Sequence, residues 1–147
     1  IQTNGISFIW IHQFNYSDNR GRSALEVRDT VKVTASDIQV YNCEHIYTNM
    51  IVFNTVNELR IMSVVADNNT ISGPFGTLGF NHVEEAAAFL ISVTNQLHQN
   101  QSASAILING ESRMELYDSQ FINCTASAGG AISVEDSSIT ITNTTFK

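Results

Sequence analysis

The sequence is poor in charged residues and in proline, and it has few cysteines. Charged residues occupy 14% of the 147 positions, proline occurs once and cysteine twice. Seven Lys and Arg against 14 Asp and Glu give a net charge of -7, so no basic stripe is available to neutralise a nucleic-acid backbone. No apolar run approaches the roughly 18 residues of a membrane helix. We therefore expect neither nucleic-acid binding nor membrane insertion by this segment.

Uncharged polar residues take the place of the missing charges. The chain has 15 Asn, 15 Ser and 13 Thr, a composition that suits strands and turns better than solvated helices. A hydrophobic content of 43% is enough for the core of one domain of ordinary size. The composition predicts a single all-β domain over residues 1–147.

The chain contains a long internal copy of itself. Residues 24–43 (ALEVRDTVKVTASDIQVYNC) align without a gap with residues 105–124 (AILINGESRMELYDSQFINC), 81 positions later. Self-similarity of this kind indicates stacked supersecondary units. The identical pairs are Ala24/Ala105, Asp37/Asp118, Gln39/Gln120, Asn42/Asn123 and Cys43/Cys124.

The offset divides into shorter units. A small residue that opens a strand recurs with spacings of 26, 26, 29 and 26, at Ala24, Met50, Gly76, Ala105 and Ala131. An apolar slot recurs at Phe14, Val40, Ala66, Phe121 and, with one residue deleted, Phe146. Each unit has three short apolar bursts separated by turn residues, including the column Asp37, Ser63, Asp118 and Asn143. Three short strands in about 26 residues predict one coil of a parallel β-helix, and the chain therefore has about five coils.

The coil over residues 76–104 is the irregular one. It carries three extra residues and the stretch NHVEEAAAFL. The composition of residues 82–90 favours a helical turn or loop that bulges from the coil. Such an insertion is either a tolerated surface loop or a place where function sits.

The stretch FINCTASAGGAI, residues 121–132, resembles the repeat of polymorphic outer membrane proteins. That repeat has an F-x-x-N element followed by G-G-A-[ILV]. The variant with cysteine in the last F-x-x-N position is similar to versions abundant in large surface and secreted proteins of ciliated protists. Degenerate copies occur at residues 40–43 and 66–69, without the Gly-Gly pair. The resemblance implies a right-handed parallel β-helix, an extracellular or cell-surface location, roles in adhesion or surface architecture, and no catalytic residues.

Several motif residues have structural roles in this register. We expect Gly129 and Gly130 to supply positive φ at a tight corner where a side chain would clash with the next coil. Stacked Asn side chains, with Asn42 and Asn123 among them, can hydrogen-bond along the axis because each amide both donates and accepts.

The same register separates the two cysteines. Cys43 and Cys124 share a column three coils apart, too far for the roughly 4.4–6.8 Å between Cα atoms that a disulfide needs. We predict two separate, largely buried thiols in an apolar or Asn-lined column.

No pattern of acids or histidines predicts chemistry. Asp37 and Asp118 lie about 14 Å apart, from the strand spacing, beyond the roughly 5–9.5 Å of paired glycosidase carboxyls. Glu84 and Glu85 diverge if their segment is a strand. We expect no catalytic residue, cofactor or metal ion, since the four histidines share no column and lack metal-ligand spacing: His12, His45, His82 and His98.

Trp10 and Phe8 alternate along one strand face. They form either a carbohydrate platform or one face of an edge strand that a preceding coil covers.

Five Asn-x-Ser/Thr sequons occur, whereas chance predicts about three from this composition. They lie at Asn15, Asn68, Asn100, Asn123 and Asn143. We expect Asn68 and Asn123 to be inaccessible in the ladder column. Asn100, in the irregular coil, and Asn143, in a turn column, are the better glycan candidates.

These observations favour a segment of a longer, extracellular β-helical protein with a structural or adhesive role. The chain lacks an initiator Met, begins in a strand-like stretch and stops in mid-repeat. Open strand edges need cover, so we expect self-association, as in a filament or surface coat, or contact with other surface or matrix proteins, with covalent glycans on the exterior.

Two alternatives remain open. A polysaccharide-active β-helix enzyme would use the 76–104 coil to shape a cleft and would cluster acids beside it on one outer face. An adhesin passenger domain would instead display an exposed aromatic or apolar patch.

Overall fold

The structure, a computed structural model, describes residues 2–21, 23–46, 48–99, 105–126 and 130–147. Within these ranges the regular elements are all strands, and the prediction of an all-β chain is confirmed. The strands are β1 (Gln2–Asn4), β2 (Phe8–Ser17), β3 (Arg20–Gly21), β4 (Leu25–Tyr41), β5 (Glu44–Ile46), β6 (Ile51–Asp67), β7 (Thr70–Ser72), β8 (Leu78–Thr94), β9 (Leu97–Gln99), β10 (Ile106–Asn109), β11 (Arg113–Tyr117), β12 (Gln120–Ile122), β13 (Ile132–Val134), β14 (Ser138–Thr142) and β15 (Thr145–Phe146).

The strands stack into a parallel β-solenoid of about five turns. One sheet follows the order β1-β4-β6-β8-β10-β13, with β2, β11, β12, β14 and β15 attached to the same stack. A second sheet has the order β3-β5-β7-β9. Because each strand pairs in parallel with its equivalent in the next coil, like residues form columns along the axis. The predicted parallel β-helix is confirmed.

The register gives the true coil lengths. Leu25 pairs with Ile51, Ile51 with Leu78, Leu78 with Ile106, and Ile106 with Ile132. The spacings are therefore 26, 27, 28 and 26 rather than 26, 26, 29 and 26. The third opener is one residue later than predicted.

The residue that precedes the first strand of this coil is Thr77 and not Gly76. The Thr77 carbonyl accepts the Ile51 N–H at 2.9 Å, and the Thr77 side chain is fully buried. The register offset grows by one residue between Ser72 and Leu78 and by one more between Gln99 and Ile106.

The prediction that Phe14 shares a column with Val40 was also wrong. Phe14 pairs with Ile38, whereas the partner of Val40 is Tyr16. The offset from β2 to β4 is 24 residues, because the connection after β3 is shorter by two. The deletion predicted before Phe146 is confirmed, since Phe121 pairs with Phe146.

The helical bulge predicted for residues 82–90 does not form. These residues lie inside β8, a strand of 17 residues, and they pair with β6 on one side and β11 on the other. Val83, Ala88 and Ile91 are fully buried in the core. The ladders on both sides outweigh the local helix propensity of the Glu-Ala run, which amounts to only a few tenths of a kcal/mol per residue.

The inward columns form one continuous apolar core. Phe53 and Phe80 stack with ring centroids 5.9 Å apart, and Val27 and Ile108 continue the same column. Fully burying such side chains contributes about 1.5–3 kcal/mol each. Packing between coils therefore holds each turn in register.

Three corners recur along the chain and are turned by residues in the left-handed region: the first corner includes Asp29, Thr55 and His82, and the third includes Asn42 and Asn68. The second corner has the predicted turn column, and it also contains Gln13 and Leu90. Asp and Asn tolerate this conformation better than most residues, which explains their recurrence there. The φ values of this column are 55° (Gln13), 54° (Asp37), 59° (Ser63), 56° (Leu90), 49° (Asp118) and 48° (Asn143).

Candidate functional site

The predicted Asn ladder is present on the outside of the third corner. Asn68 Nδ2 donates to Asn42 Oδ1 at 2.8 Å, and Asn42 Nδ2 donates to Asp18 Oδ1 at 3.3 Å. Asn123 Nδ2 donates to Asn95 Oδ1 at 3.1 Å. All five residues have φ near 50°, so the ladder both satisfies amide groups and occupies the positions that Asn tolerates best.

The ladder has one irregular step. Asn95 Nδ2 donates to Asp67 Oδ1 at 2.9 Å rather than to Asn68. Sequence reasoning missed Asn95, because the marker that follows it is Gln96 in place of Cys or Asn.

The cysteines lie in the adjacent inward column and are both free thiols, with Cys43 buried and Cys124 only partly buried, so the prediction that both are largely buried holds for Cys43 alone. The column between them contains Asn69 and Gln96, so the prediction of separate thiols three coils apart in an Asn-lined column is confirmed. Asn69 Oδ1 accepts the Cys43 N–H at 2.9 Å, and Asn69 Nδ2 donates to the Val40 carbonyl at 3.2 Å. Burial raises the pKa of the Cys124 thiol to about 11, and burial also raises the pKa of Cys43.

The Gly-Gly interpretation needs one correction. Gly129 lies outside the described residues, and Gly130 does not have a positive φ. A Cβ on Gly130 would lie 3.1 Å from the Cys124 carbonyl oxygen. The feature that favours glycine at position 130 is therefore the close approach to that carbonyl rather than a left-handed corner.

Four of the five sequon asparagines are described, and all four are exposed. The expectation that Asn68 and Asn123 are inaccessible is wrong, because positive φ turns their side chains outward. Asn143 Nδ2 donates to Asp118 Oδ1 at 2.6 Å. Asn15 is the one described sequon residue whose amide has no bond within the described chain, and Asn100 lies outside it.

The predicted separation of Asp37 and Asp118 is confirmed, since Ser63 and Leu90 occupy the two coils between them in the corner column. The two carboxyl groups are therefore too far apart to act as a catalytic pair.

His12 has a short contact with two polar side chains. Its Nδ1 lies 2.8 Å from Ser36 Oγ and 3.1 Å from Asp37 Oδ2. Both contacts use the same nitrogen, whereas a catalytic triad needs serine and carboxylate on opposite nitrogens.

The other histidines contribute no cluster. His82 is exposed at the first corner with φ 52°, and the side chains of His45 and His98 lie outside the described part. No group of three or more His, Cys, Asp or Glu placed to hold a metal ion occurs among the described residues.

The most distinctive outer surface is the broad face, formed by the outward side chains of the strand segments that stack in register at residues 8–12, 32–36, 58–62, 85–89, 113–117 and 138–142. Trp10 is 70% exposed and Phe8 is 54% exposed on this face. They pair in register with Thr34 and Lys32, while Ile9 points inward. Among the described strands β2 pairs with β4 alone, so Trp10 and Phe8 do lie on one face of an edge strand.

A groove of about 480 Å³ crosses the broad face at the centre of β8. Its floor is Ala87, whose side chain is short, whereas its neighbours in the coils on either side, Arg60 and Glu115, are long; Ala86 faces the core. The sequence predicted a helical segment here and not a groove. A run of Ala forms a groove only when the register places it between larger side chains. Charged and hydroxyl residues form the remainder of the lining, together with Leu59 and Met114: Glu58, Arg60, Glu85, Arg113, Glu115, Ser138 and Thr140.

The charged residues of the groove are unevenly paired. Glu58 Oε1 accepts from Lys32 Nζ at 2.7 Å. Arg60, Arg113 and Glu85 make no ion pair or side-chain hydrogen bond with the part of the chain that the structure describes. Two guanidinium groups and one carboxylate are therefore free to bind a ligand.

Glu115 forms the opposite wall. Its Oε2 accepts from the Tyr117 hydroxyl at 2.8 Å. This hydrogen bond raises the pKa of Tyr117, because the neutral phenol is the donor.

Comparison with known proteins identifies no relative. The sequence matches no family model, and neither the curated proteins nor the solved structures yield a match. The resemblance of residues 121–132 to the polymorphic outer membrane protein repeat therefore stays a prediction. The described residues include no helix with the length and hydrophobicity needed to cross a membrane.

Proposed function

We propose that this chain belongs to an extracellular or cell-surface protein with a structural and adhesive role, in which the solenoid holds the broad face rigid for contact with a partner. The observation that carries the proposal is the outward display of Trp10, 70% exposed, beside Phe8. Contiguous exposed aromatic surface is typical of interaction sites. An adhesive role is favoured over a purely passive scaffold for this reason.

The extracellular location is supported by two features of the sequence. One is the resemblance of residues 121–132 to a surface-protein repeat. The other is the exposure of four sequon asparagines. The partners we propose are further copies of the chain or other surface and matrix proteins.

Adhesion can be tested directly with the folded chain. Fluorescently labelled protein should bind to cells of the organism that produces it, or to a surface coated with the same protein. Replacing both Trp10 and Phe8 by Ser should reduce that binding several-fold, because the aromatic contact area is lost. Val31→Ser is a matched control, since Val31 is an exposed apolar residue outside the broad face. Binding that survives the double substitution unchanged contradicts the proposal.

A polysaccharide-active enzyme is the second candidate, and one observation favours it. Glu58 and Glu85 are register partners on the broad face, so their Cα atoms are about 4.8 Å apart. The two side chains extend from neighbouring strands on the same face, so their carboxyl groups can come within the separation of about 5–5.5 Å that retaining glycosidases need. In such a mechanism one carboxyl group attacks the sugar and the other transfers the proton; Glu58 also contacts Lys32 Nζ at 2.7 Å.

The enzyme candidate makes its own prediction. Reducing ends should appear when the chain is incubated with soluble polysaccharides, and Glu58→Gln and Glu85→Gln should each abolish the signal. Glu44→Gln is the control, because Glu44 pairs with Arg20 away from the groove. Equal activity in all four proteins, or none in the wild type, removes this candidate.

A further inference from the structure

We propose that the groove centred on Ala87 binds a neutral saccharide unit. This inference deepens the adhesive function proposed above and rests on it: it names the chemical class that the broad face recognises. The groove volume of about 480 Å³ falls in the range of small-molecule sites, about 300–1,000 Å³.

The balance of charge in the groove favours an uncharged ligand. The carboxylates of Glu58, Glu85 and Glu115 are matched by the guanidinium groups of Arg60 and Arg113 and by the Lys32 ammonium on Glu58. An anion would meet three carboxylates, and a cation would meet two unpaired guanidinium groups. Neither sign is favoured overall.

The free groups suit hydroxyls in particular. Arg60 and Arg113 offer only donors, and Glu85 offers only acceptors. A sugar hydroxyl both donates and accepts, so neighbouring hydroxyls can satisfy both kinds of group at once. Hydrogen bonds to charged groups are the stronger ones, about 1.5–3 kcal/mol each.

The shape of the groove matches the apolar side of a sugar ring. Ala87 provides a flat methyl floor. Beyond it on the same strands, Phe89 and Tyr117 stack with ring centroids 4.9 Å apart and planes 11° apart. Met62, 54% exposed, extends this apolar edge into the coil of β6. The groove is therefore bordered along the strand direction by an apolar edge.

The position of the groove also suits a polymer. The broad face continues past the groove in both directions, through Ser138 and Thr140 on one side and Thr34 on the other. Trp10 lies three coils from Ala87, about 14 Å along the axis. A longer saccharide in the groove would extend toward the exposed indole.

The test is a titration of the isotope-labelled full chain, followed by backbone NMR shifts. The probes are five neutral hexasaccharides: the maltose, cellulose, chitin, mannan and galactan series. At least one should shift residues of the groove at concentrations up to about 10 mM. Ala87→Leu fills the groove without changing charge and should weaken that binding by more than about tenfold.

Two polar variants and one control complete the design. Arg113→Gln and Glu85→Gln should each weaken binding several-fold, and they keep the proposal testable if Ala87→Leu does not fold. Gln39→Leu, which adds the same side chain at an exposed position of the adjacent face, should leave binding unchanged. Thermal unfolding checks that each variant is folded.

Three outcomes would overturn the inference: no binding of any neutral hexasaccharide, binding that Ala87→Leu leaves unaffected, or binding at the groove only of charged probes, namely a uronate hexasaccharide or a mixed-charge peptide. The two proposals are distinguishable. If the saccharides do not bind but adhesion still depends on Trp10 and Phe8, only the groove inference fails. If the saccharides bind and adhesion is absent, the adhesive role fails while the groove remains a saccharide site.

Discussion

Asn68 and Asn42 lie one above the other in consecutive coils, and Asn68 Nδ2 donates to Asn42 Oδ1 at 2.8 Å. Both residues have a φ of 53°. One residue type thus meets two requirements of the corner: it tolerates the left-handed region, and its amide bonds along the axis. The recurrence of Asn in this column follows from that combination.

Removing the Asn68 side chain should lower stability. We expect Asn68→Ala to reduce the free energy of unfolding by about 1–3 kcal/mol, because it loses the ladder bond and places Ala at positive φ. Asn68→Gly should lose less, about 1 kcal/mol, since glycine accepts the conformation. Urea denaturation measures both. Asn57→Ala, at an exposed position with ordinary φ, is the control, and an equal loss in Asn57→Ala and Asn68→Ala would contradict the account.

Leu90 occupies the second corner at a cost. Its φ is 56° and its side chain is 55% exposed, so it adopts a strained conformation and buries little in return. Leu90→Asn should raise the free energy of unfolding by about 1 kcal/mol. The reverse change in the same column, Asp118→Leu, should lower it by at least as much, because Asn143 also loses its acceptor. A destabilised Leu90→Asn variant would show that Leu90 makes contacts that outweigh its strain.

The buried thiol of Cys43 and the partly buried thiol of Cys124 should make the fold sensitive to alkali. The pKa of Cys124 is raised to about 11 in the folded chain from an ordinary value near 9. Below pH 9 the thiol is protonated whether folded or unfolded, so it contributes no pH dependence. Between pH 9 and about 11 the unfolded chain loses the proton first, so stability should fall as pH rises.

The measurement is the free energy of unfolding from urea titrations at pH 8 and pH 10.5. Cys124→Ala should lose less stability between these two values than the wild type does. Cys43→Ala, which removes the other thiol whose pKa is raised, should also lessen the fall. Identical pH dependence in all three proteins would argue against thiol burial as the cause.

The structure reorders the glycan candidates. Asn15 is exposed with an uncommitted amide, whereas Asn68, Asn123 and Asn143 donate Nδ2 to neighbouring coils. We expect that, in a secretory host, a variant keeping only the Asn15 sequon is glycosylated and retains its stability. A variant keeping only Asn68 should lose about 1 kcal/mol when glycosylated, because the sugar crowds the ladder bond. Mass spectrometric peptide mapping measures the glycosylation of each variant, and thermal unfolding measures its stability. An unmodified Asn15 together with a fully modified Asn68 would contradict the ranking of Asn15 as the better glycan site.

The repeat pattern was enough to predict the solenoid, the Asn ladder, the turn column and the separation of Cys43 from Cys124. These features repeat at a near-constant spacing, and stacking in parallel register converts sequence spacing directly into position. The errors at Phe14 and Gly76 have one origin. Insertions and deletions lie in the connections, where no repeating residue marks them.

The sequence alone therefore determined which residues share a column wherever the period was regular. Only the tertiary structure decided the state of residues 82–90, because two flanking ladders impose a strand on a segment whose own preference is helical. The groove at Ala87 was likewise decided by the fold: its depth depends on the length of the Arg60 and Glu115 side chains, 27 and 28 residues away, which no local pattern reports. The outward direction of Trp10 depends in the same way on its pairing with Thr34.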